Sequence, residues 1–165
     1  MSLTIKEINY DNLDDLKKLE SALKNWFANP KELNFTDPNM QYPFDMKKWI
    51  QINYKLNQIQ TIILSDDDWI IGFGGVKFFE KADKAHIAQI YLDSNHRGKG
   101  YRKKIIDYIE DLSIKNNAKT LSISAMKKDI SARALYESIG YQEVNNKGNI
   151  ITLEKNPHIS EGFLM

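Results

Sequence analysis

The stretch from His86 to Lys104 constrains the fold more than any other part of the chain. His86 to Leu92 alternates in a way that suits a strand. It runs into Asp93-Ser94-Asn95-His96-Arg97-Gly98-Lys99-Gly100, and a helix opens directly afterwards with Tyr101, Ile105, Ile109 and Leu112 on one face. The first N–H groups of a helix have no partner inside it and carry the positive end of its dipole. Glycine lets an anion approach that backbone closely. Arg97, Lys99, Arg102, Lys103 and Lys104 add positive charge around the turn. A pyrophosphate or a nucleotide phosphate is the natural guest, although the same residues also suit a tight turn with a solvated basic helix start. Two other phosphate motifs are excluded. A P-loop needs Gly-x-x-x-x-Gly-Lys-Ser/Thr, which is absent. A dinucleotide fingerprint needs a third small residue where Lys103 stands, and an acidic residue near Thr120 to Ser124.

The elements around this turn predict a mixed α/β sheet with helices on its faces. Leu3 to Ile8 alternates as a first strand, and Asp11-Asn12 offers an N-cap. Leu13, Leu16, Leu19, Leu23, Trp26 and Phe27 follow at helical spacing, and Pro30 is expected to end that helix. Lys31 to Phe44, with Pro38 and Pro43, reads as a loop. Asp45 can cap a second helix carrying Met46, Trp49, Ile50, Asn53 and Leu56 along one side. Thr61 to Leu64, the turn Asp66-Asp67-Asp68 and the run Trp69 to Phe79 read as a hairpin. Gly72, Gly74 and Gly75 within it suggest a bulge or a close backbone approach. Leu121, Ile123 and Ala125 alternate as a strand. Ala132, Leu135, Tyr136 and Ile139 form a short helix face, with Gly140 as its C-terminal cap, and Ile150 to Leu153 gives a last strand. The order is β-α-α-β-β-β-α-β-α-β-β, one domain over residues 1–155 with residues 156–165 as a tail.

Composition narrows the class. With 165 residues, 42% hydrophobic and 27% charged, the chain suits a soluble globular domain. A formal net charge of +1 argues against a general nucleic-acid or membrane-surface binder. The absence of cysteine excludes disulfides, Cys-based zinc sites and a cysteine acyl-enzyme, and fits a reducing cytoplasm. No stretch approaches the roughly 18 apolar residues of a membrane helix, and Met1 to Tyr10 has no apolar run like that of a signal peptide.

At two places the sequence resembles the GNAT superfamily of N-acetyltransferases. Their central motif, Arg/Gln-x-x-Gly-x-Gly/Ala between a strand and a helix, is matched by Arg97-Gly98-Lys99-Gly100-Tyr101-Arg102, with Arg102 replacing the final small residue. The family's Asn-x-x-Ala-x-x-Leu-Tyr-x-x-x-Gly-Phe is matched by Asp129 to Tyr141, with Asp129 replacing Asn. The resemblance covers roughly residues 3 to 155. It implies a central, mostly antiparallel sheet with splayed central strands, flanked by about four helices, and acetyl-CoA as acyl donor.

The resemblance also implies roles. The backbone groups of Ile90 and Leu92 would pair with the pantetheine arm, and an N–H near Tyr91 or Leu92 would hold the developing oxyanion. Arg97, Gly98, Lys99, Gly100, Tyr101 and Arg102 would bind the pyrophosphate, with Asp129 and Tyr136 completing the cofactor site. Tyr136 would donate a proton to the leaving thiolate. Its phenol, with a pKa of about 10, is protonated at neutral pH. His86 is the candidate base for the attacking amine, with Glu80 or an ordered water as rivals. Without cysteine, direct attack in a ternary complex is expected. The acceptor is a small-molecule or protein amine. Trp26, Phe27, Phe35, Tyr42, Phe44 and Trp49, near Glu32, Asp37 and Asp45, could form an aromatic, acidic pocket for it. A CoA-binding sensor without turnover is the alternative reading. Exposed strand edges near the C-terminus are compatible with a homodimer.

Overall fold

The computed structural model describes residues 2–37 and 40–157. Pro38 of the expected loop and residues 158–165 of the expected tail lie outside them. Seven strands form one sheet in the order β1-β2-β3-β4-β5-β7-β6. They are β1 (Leu3–Glu7), β2 (Gln60–Asp66), β3 (Trp69–Phe79), β4 (Lys84–Leu92), β5 (Thr120–Met126), β6 (Gln142–Lys147) and β7 (Ile150–Lys155). The helices are α1 (Leu13–Trp26), α2 (Pro30–Thr36), α3 (Met46–Trp49), α4 (Tyr101–Lys115) and α5 (Ile130–Ser138). Pairing is antiparallel for β1 with β2, β2 with β3, β5 with β7 and β6 with β7. β4 and β5 pair in parallel from Lys84↔Thr120 to Ile87↔Ile123, and β4 then continues to Leu92. The expected mixed, mostly antiparallel sheet is therefore present. The chain divides into two compact units, 1–76 with 89–105, and 77–88 with 106–165.

The first unit is built on aromatic packing. Asn12 caps α1 by accepting from the Asp15 N–H, and the stripe Leu19, Leu23 and Trp26 is buried. These residues join Leu33 of α2, Met46 and Trp49 of α3, Phe73 of β3 and Tyr91 of β4 in one core. Trp26 and Phe27 lie 4.9 and 5.4 Å from the Tyr91 ring. Each such burial contributes roughly 1.5–3 kcal/mol.

Two expectations fail here, each for a physical reason. Pro30 does not end α1. That helix stops at Trp26, and Pro30 opens α2 under an Asn29 cap. Proline is tolerated in a first helical turn, where its missing N–H would have no partner. The segment expected to be a loop from Lys31 thus begins with helix, and Leu33 anchors it. The second difference lies after α3, where the chain widens into a π-helical segment, Ile50–Leu56. Asn53 is buried there, while Leu56 is 70% exposed instead of lining the core face.

Glycines in β3 do what their sequence positions suggest. The register steps from Leu64↔Gly72 to Ser65↔Ile70, leaving Ile71 as the extra residue of a bulge. A Cβ on Gly72 would lie 2.7 Å from Leu92 Cδ2 and 2.9 Å from the Tyr91 carbonyl oxygen, so only glycine admits the end of β4 this closely. In the second unit, Ala85, Ile87, Leu121, Ile123, Ile151 and Leu153 are buried strand residues, beside Ile106 and Ile109 of α4.

Candidate functional site

In the first unit, β4 ends at Leu92 and the Asp93 N–H donates to the carbonyl of the bulge residue Ile71 at 2.8 Å. A 3₁₀ turn, Ser94–His96, leads to Arg97, and α4 begins at Tyr101. The His96 imidazole Nδ1 lies 2.9 Å from Asp93 Oδ2, which braces the turn from within. Gly98 and Gly100 have φ of +78° and +82°, a region that favours glycine. A Cβ at either position would meet nothing within 4 Å. Conformation therefore dictates glycine here, and the space above the turn is open. The turn, the open backbone and the start of a 15-residue helix fit a phosphate group.

Of the residues expected to bind cofactor, Gly98, Lys99 and Gly100 are exposed, Arg102 is half-buried and Tyr101 is buried. Leu92 is buried and Ile90 partly so. Arg97 is exposed, and its side chain lies back along the end of β4. Its Nε donates to the Leu92 carbonyl at 3.0 Å, and Nη2 donates to Glu32 Oε1 at 3.0 Å. Its guanidinium lies 5.3 Å from the Tyr91 ring centre. The side chain is thus engaged in holding the strand end against α2. Burial and Glu32 push the Tyr91 phenol up to about 12, with Arg97 opposing them in part.

The aromatic residues expected for the acceptor differ in their surroundings. Trp26, Phe27 and Trp49 are core, Phe44 is partly buried, and Phe35 and Tyr42 are exposed. The three carboxylates also have separate duties. Glu32 pairs with Arg97, and Asp45 caps α3 by accepting from the Lys48 N–H. Asp37 is buried. Its Oδ2 accepts from Asn53 Nδ2 at 3.1 Å and Gln89 Nε2 at 3.2 Å, and Gln89 Nε2 also reaches Asn53 Oδ1 at 3.0 Å. The sequence reading missed this network. Its signal was Gln89, a polar residue in line with inward-facing Ala85, Ile87 and Tyr91 on β4. Gly75 makes room for it, because a Cβ there would lie 3.1 Å from Gln89 Oε1.

In the second unit, His86 Nδ1 lies 2.6 Å from Ser122 Oγ, its register partner on β5. Burial, then Lys84 and Lys77, lowers the imidazole pKa below 6.5. The Lys84 ammonium is itself paired with Glu154 at 3.1 Å. Glu80, the rival base, is exposed at the start of a 3₁₀ turn. Asp129 caps α5, its Oδ1 accepting from the Ala132 N–H at 3.2 Å. An aspartate performs that duty as well as an asparagine. Tyr136 is buried on α5, 6.4 Å from the Tyr141 ring. The Tyr141 hydroxyl donates to Glu110, and burial together with that carboxylate raises its pKa. Among the described residues, no helix is long and apolar enough to cross a membrane.

Comparison with known proteins adds to this geometry. A family model described as the acetyltransferase (GNAT) family matches residues 21–141. Among solved structures, the PaiA N-acetyltransferase from Thermoplasma acidophilum in complex with coenzyme A superposes with a TM-score of 0.68 at 19% identity, covering 94% of this chain and 99% of that one. The ribosomal-protein-S18-alanine N-acetyltransferase from Escherichia coli gives a TM-score of 0.69 at 17% identity, covering 94% of each chain. The IAA acetyltransferase from Bacillus cereus gives 0.66 at 16%, covering 94% of this chain and 99% of that one. At these identities the likeness is one of fold. No curated protein matches the chain significantly in sequence.

Proposed function

The chain belongs to the acetyltransferase (GNAT) family, and on that premise we propose that it transfers an acetyl group from acetyl-CoA to a primary amine by direct attack in a ternary complex. Acetyl-CoA, the cosubstrate of this family, supplies the acetyl group as an activated thioester. The observation that carries the reading is the open turn at Gly98 and Gly100, both at positive φ, leading into α4.

On this reading the first-turn N–H groups of α4 and the turn backbone hold the phosphates, with Lys99 and Arg102 adding charge. Arg97 is a positioning residue that fixes the turn to the end of β4. Backbone groups of Ile90 and Leu92 hold the pantetheine arm, and Tyr136 supplies the proton for the departing thiolate. His86 takes the proton of the acceptor ammonium. That duty selects one tautomer: Nδ1–H must donate to Ser122 Oγ, which leaves the Nε2 lone pair available. The lowered pKa keeps the ring neutral, and so able to accept, at pH values where an ordinary histidine would already be charged.

The test is acetyl-CoA turnover with a panel of primary amines, followed by thiol release. Amine-dependent thiol release supports acetyl transfer. Tight acetyl-CoA binding with no release for any amine, including peptide N-termini and lysine, would favour a sensor without turnover.

A further inference from the structure

We propose that the first unit carries a second small-molecule site, for a small organic ammonium ion, where β1 ends and β2 begins. A cavity of about 250 Å³ opens there, lined by Glu7, Asn9, Tyr10, Tyr54, Gln60 and Thr61. Its walls are fixed by the fold. The Ile8 N–H donates to the Thr61 carbonyl at 2.8 Å, extending the β1–β2 ladder by one step. This seats Tyr10 beside Thr61, with the two hydroxyls 2.6 Å apart. Tyr54, from the π-helical segment, stacks on Tyr10 with ring centres 4.0 Å apart and planes at 18°. Its neighbour Asn53 is held by Asp37 and Gln89, so successive residues of that segment serve opposite sides.

The chemistry of the lining selects a cation. Glu7 is exposed at the end of β1, and its partial burial raises its pKa. No hydrogen bond or ion pair joins its carboxylate to another described residue. The adjacent cation, Lys6, is directed to Asp15 at 3.1 Å. A solvent-facing carboxylate without an internal partner can pair with an external cation at the cavity mouth. Tyr10 and Tyr54 cover one face of each other, and an outer face of the stacked pair can add the negative side of its quadrupole. Burial raises the Tyr10 pKa, so its hydroxyl keeps its proton and its bond to Thr61. Anions are disfavoured by Glu7. The volume falls below the roughly 300–1,000 Å³ of ordinary ligand pockets, which restricts the occupant to a small molecule. The lining includes none of the residues assigned to acetyl transfer, so this site stands or falls separately from that reading.

The test is calorimetric titration of the full chain, without acetyl-CoA, using butane-1,4-diamine as probe, with butane-1,4-diol and succinate as neutral and anionic comparisons. Saturable binding of the diamine alone is expected. Glu7→Gln and Tyr54→Leu should each weaken it about three- to tenfold, as expected for an exposed charge pair or cation–π contact. Tyr54→Phe, which keeps the ring, should bind like the parent. Unfolding midpoints check that each variant is folded. Equal binding of the diol, no diamine binding, or diamine binding unaffected by both Glu7→Gln and Tyr54→Leu would overturn the proposal. The last outcome would place the diamine elsewhere, for instance at an acceptor site for acetyl transfer.

Discussion

The Arg97 guanidinium donates to the Glu32 carboxylate at 3.0 Å, joining the residue that opens the glycine turn to the first turn of α2. The same side chain donates to the Leu92 carbonyl. One arginine thus fixes where β4 ends and where the turn begins. Because the ion pair is partly solvated, its own contribution is small, roughly 0–1 kcal/mol. Arg97→Ala should cost more than Glu32→Gln, because it also removes the bond to Leu92 and the contact with Tyr91. Urea unfolding should give about 1–2 kcal/mol against less than about 1 kcal/mol. Equal losses would mean that the ion pair alone matters.

The buried network of Asp37, Asn53 and Gln89 is worth more. Asp37→Ala leaves Asn53 Nδ2 without this acceptor and Gln89 Nε2 with only Asn53 Oδ1, and should destabilise by roughly 2–4 kcal/mol. Asp37→Asn keeps an oxygen that can accept and should cost less. The two variants are compared by their urea midpoints. If both unfold like the parent, the carboxylate is not what holds Asn53 and Gln89.

His86 makes stability depend on pH in a definite direction. Its folded-state pKa lies below the unfolded value of 6.5. The unfolded chain therefore binds the proton more readily, and stability falls as pH drops below about 6.5. The loss is complete once pH passes below the folded pKa. Nearby Lys84 and Lys77 act in the same direction as burial. His86→Gln should flatten this part of the profile. An unchanged slope in urea unfolding between neutral and mildly acidic pH would show that another group titrates.

Tyr136→Phe separates chemistry from binding. On the proposed mechanism, turnover should fall by about 10²-fold or more, while acetyl-CoA affinity changes little. Equal losses in both would assign Tyr136 to packing against its neighbours.

Much of this was legible in the sequence because the strongest signals are local. The turn from Arg97 to Gly100 and the helix after it follow from glycine conformation and apolar spacing. The cap at Asn12 and the strand alternation of β4 and β5 are similarly direct. What escaped depends on partners distant in sequence. Nothing near Arg97 indicates that Glu32 will pair with it. Trp26, Phe27 and Trp49 have a composition that suits a ligand pocket equally well, and only the packing around Phe73 and Tyr91 makes them core. Pro30 has the same chemistry at a helix end and a helix start, and the Asn29 cap decided between them. Strand β6 is counted in the element order, but with all six residues exposed no apolar alternation marks its bounds.

The most direct measurement is calorimetric titration of acetyl-CoA into the purified protein and into Gly100→Val, with ATP and NADH as comparisons. The account predicts selective binding of acetyl-CoA by the parent and loss of binding in the variant, where a branched side chain meets both the +82° φ and the phosphate approach. Failure of the parent to bind acetyl-CoA, or unchanged affinity in a folded Gly100→Val, would contradict the placement of the cosubstrate at this turn.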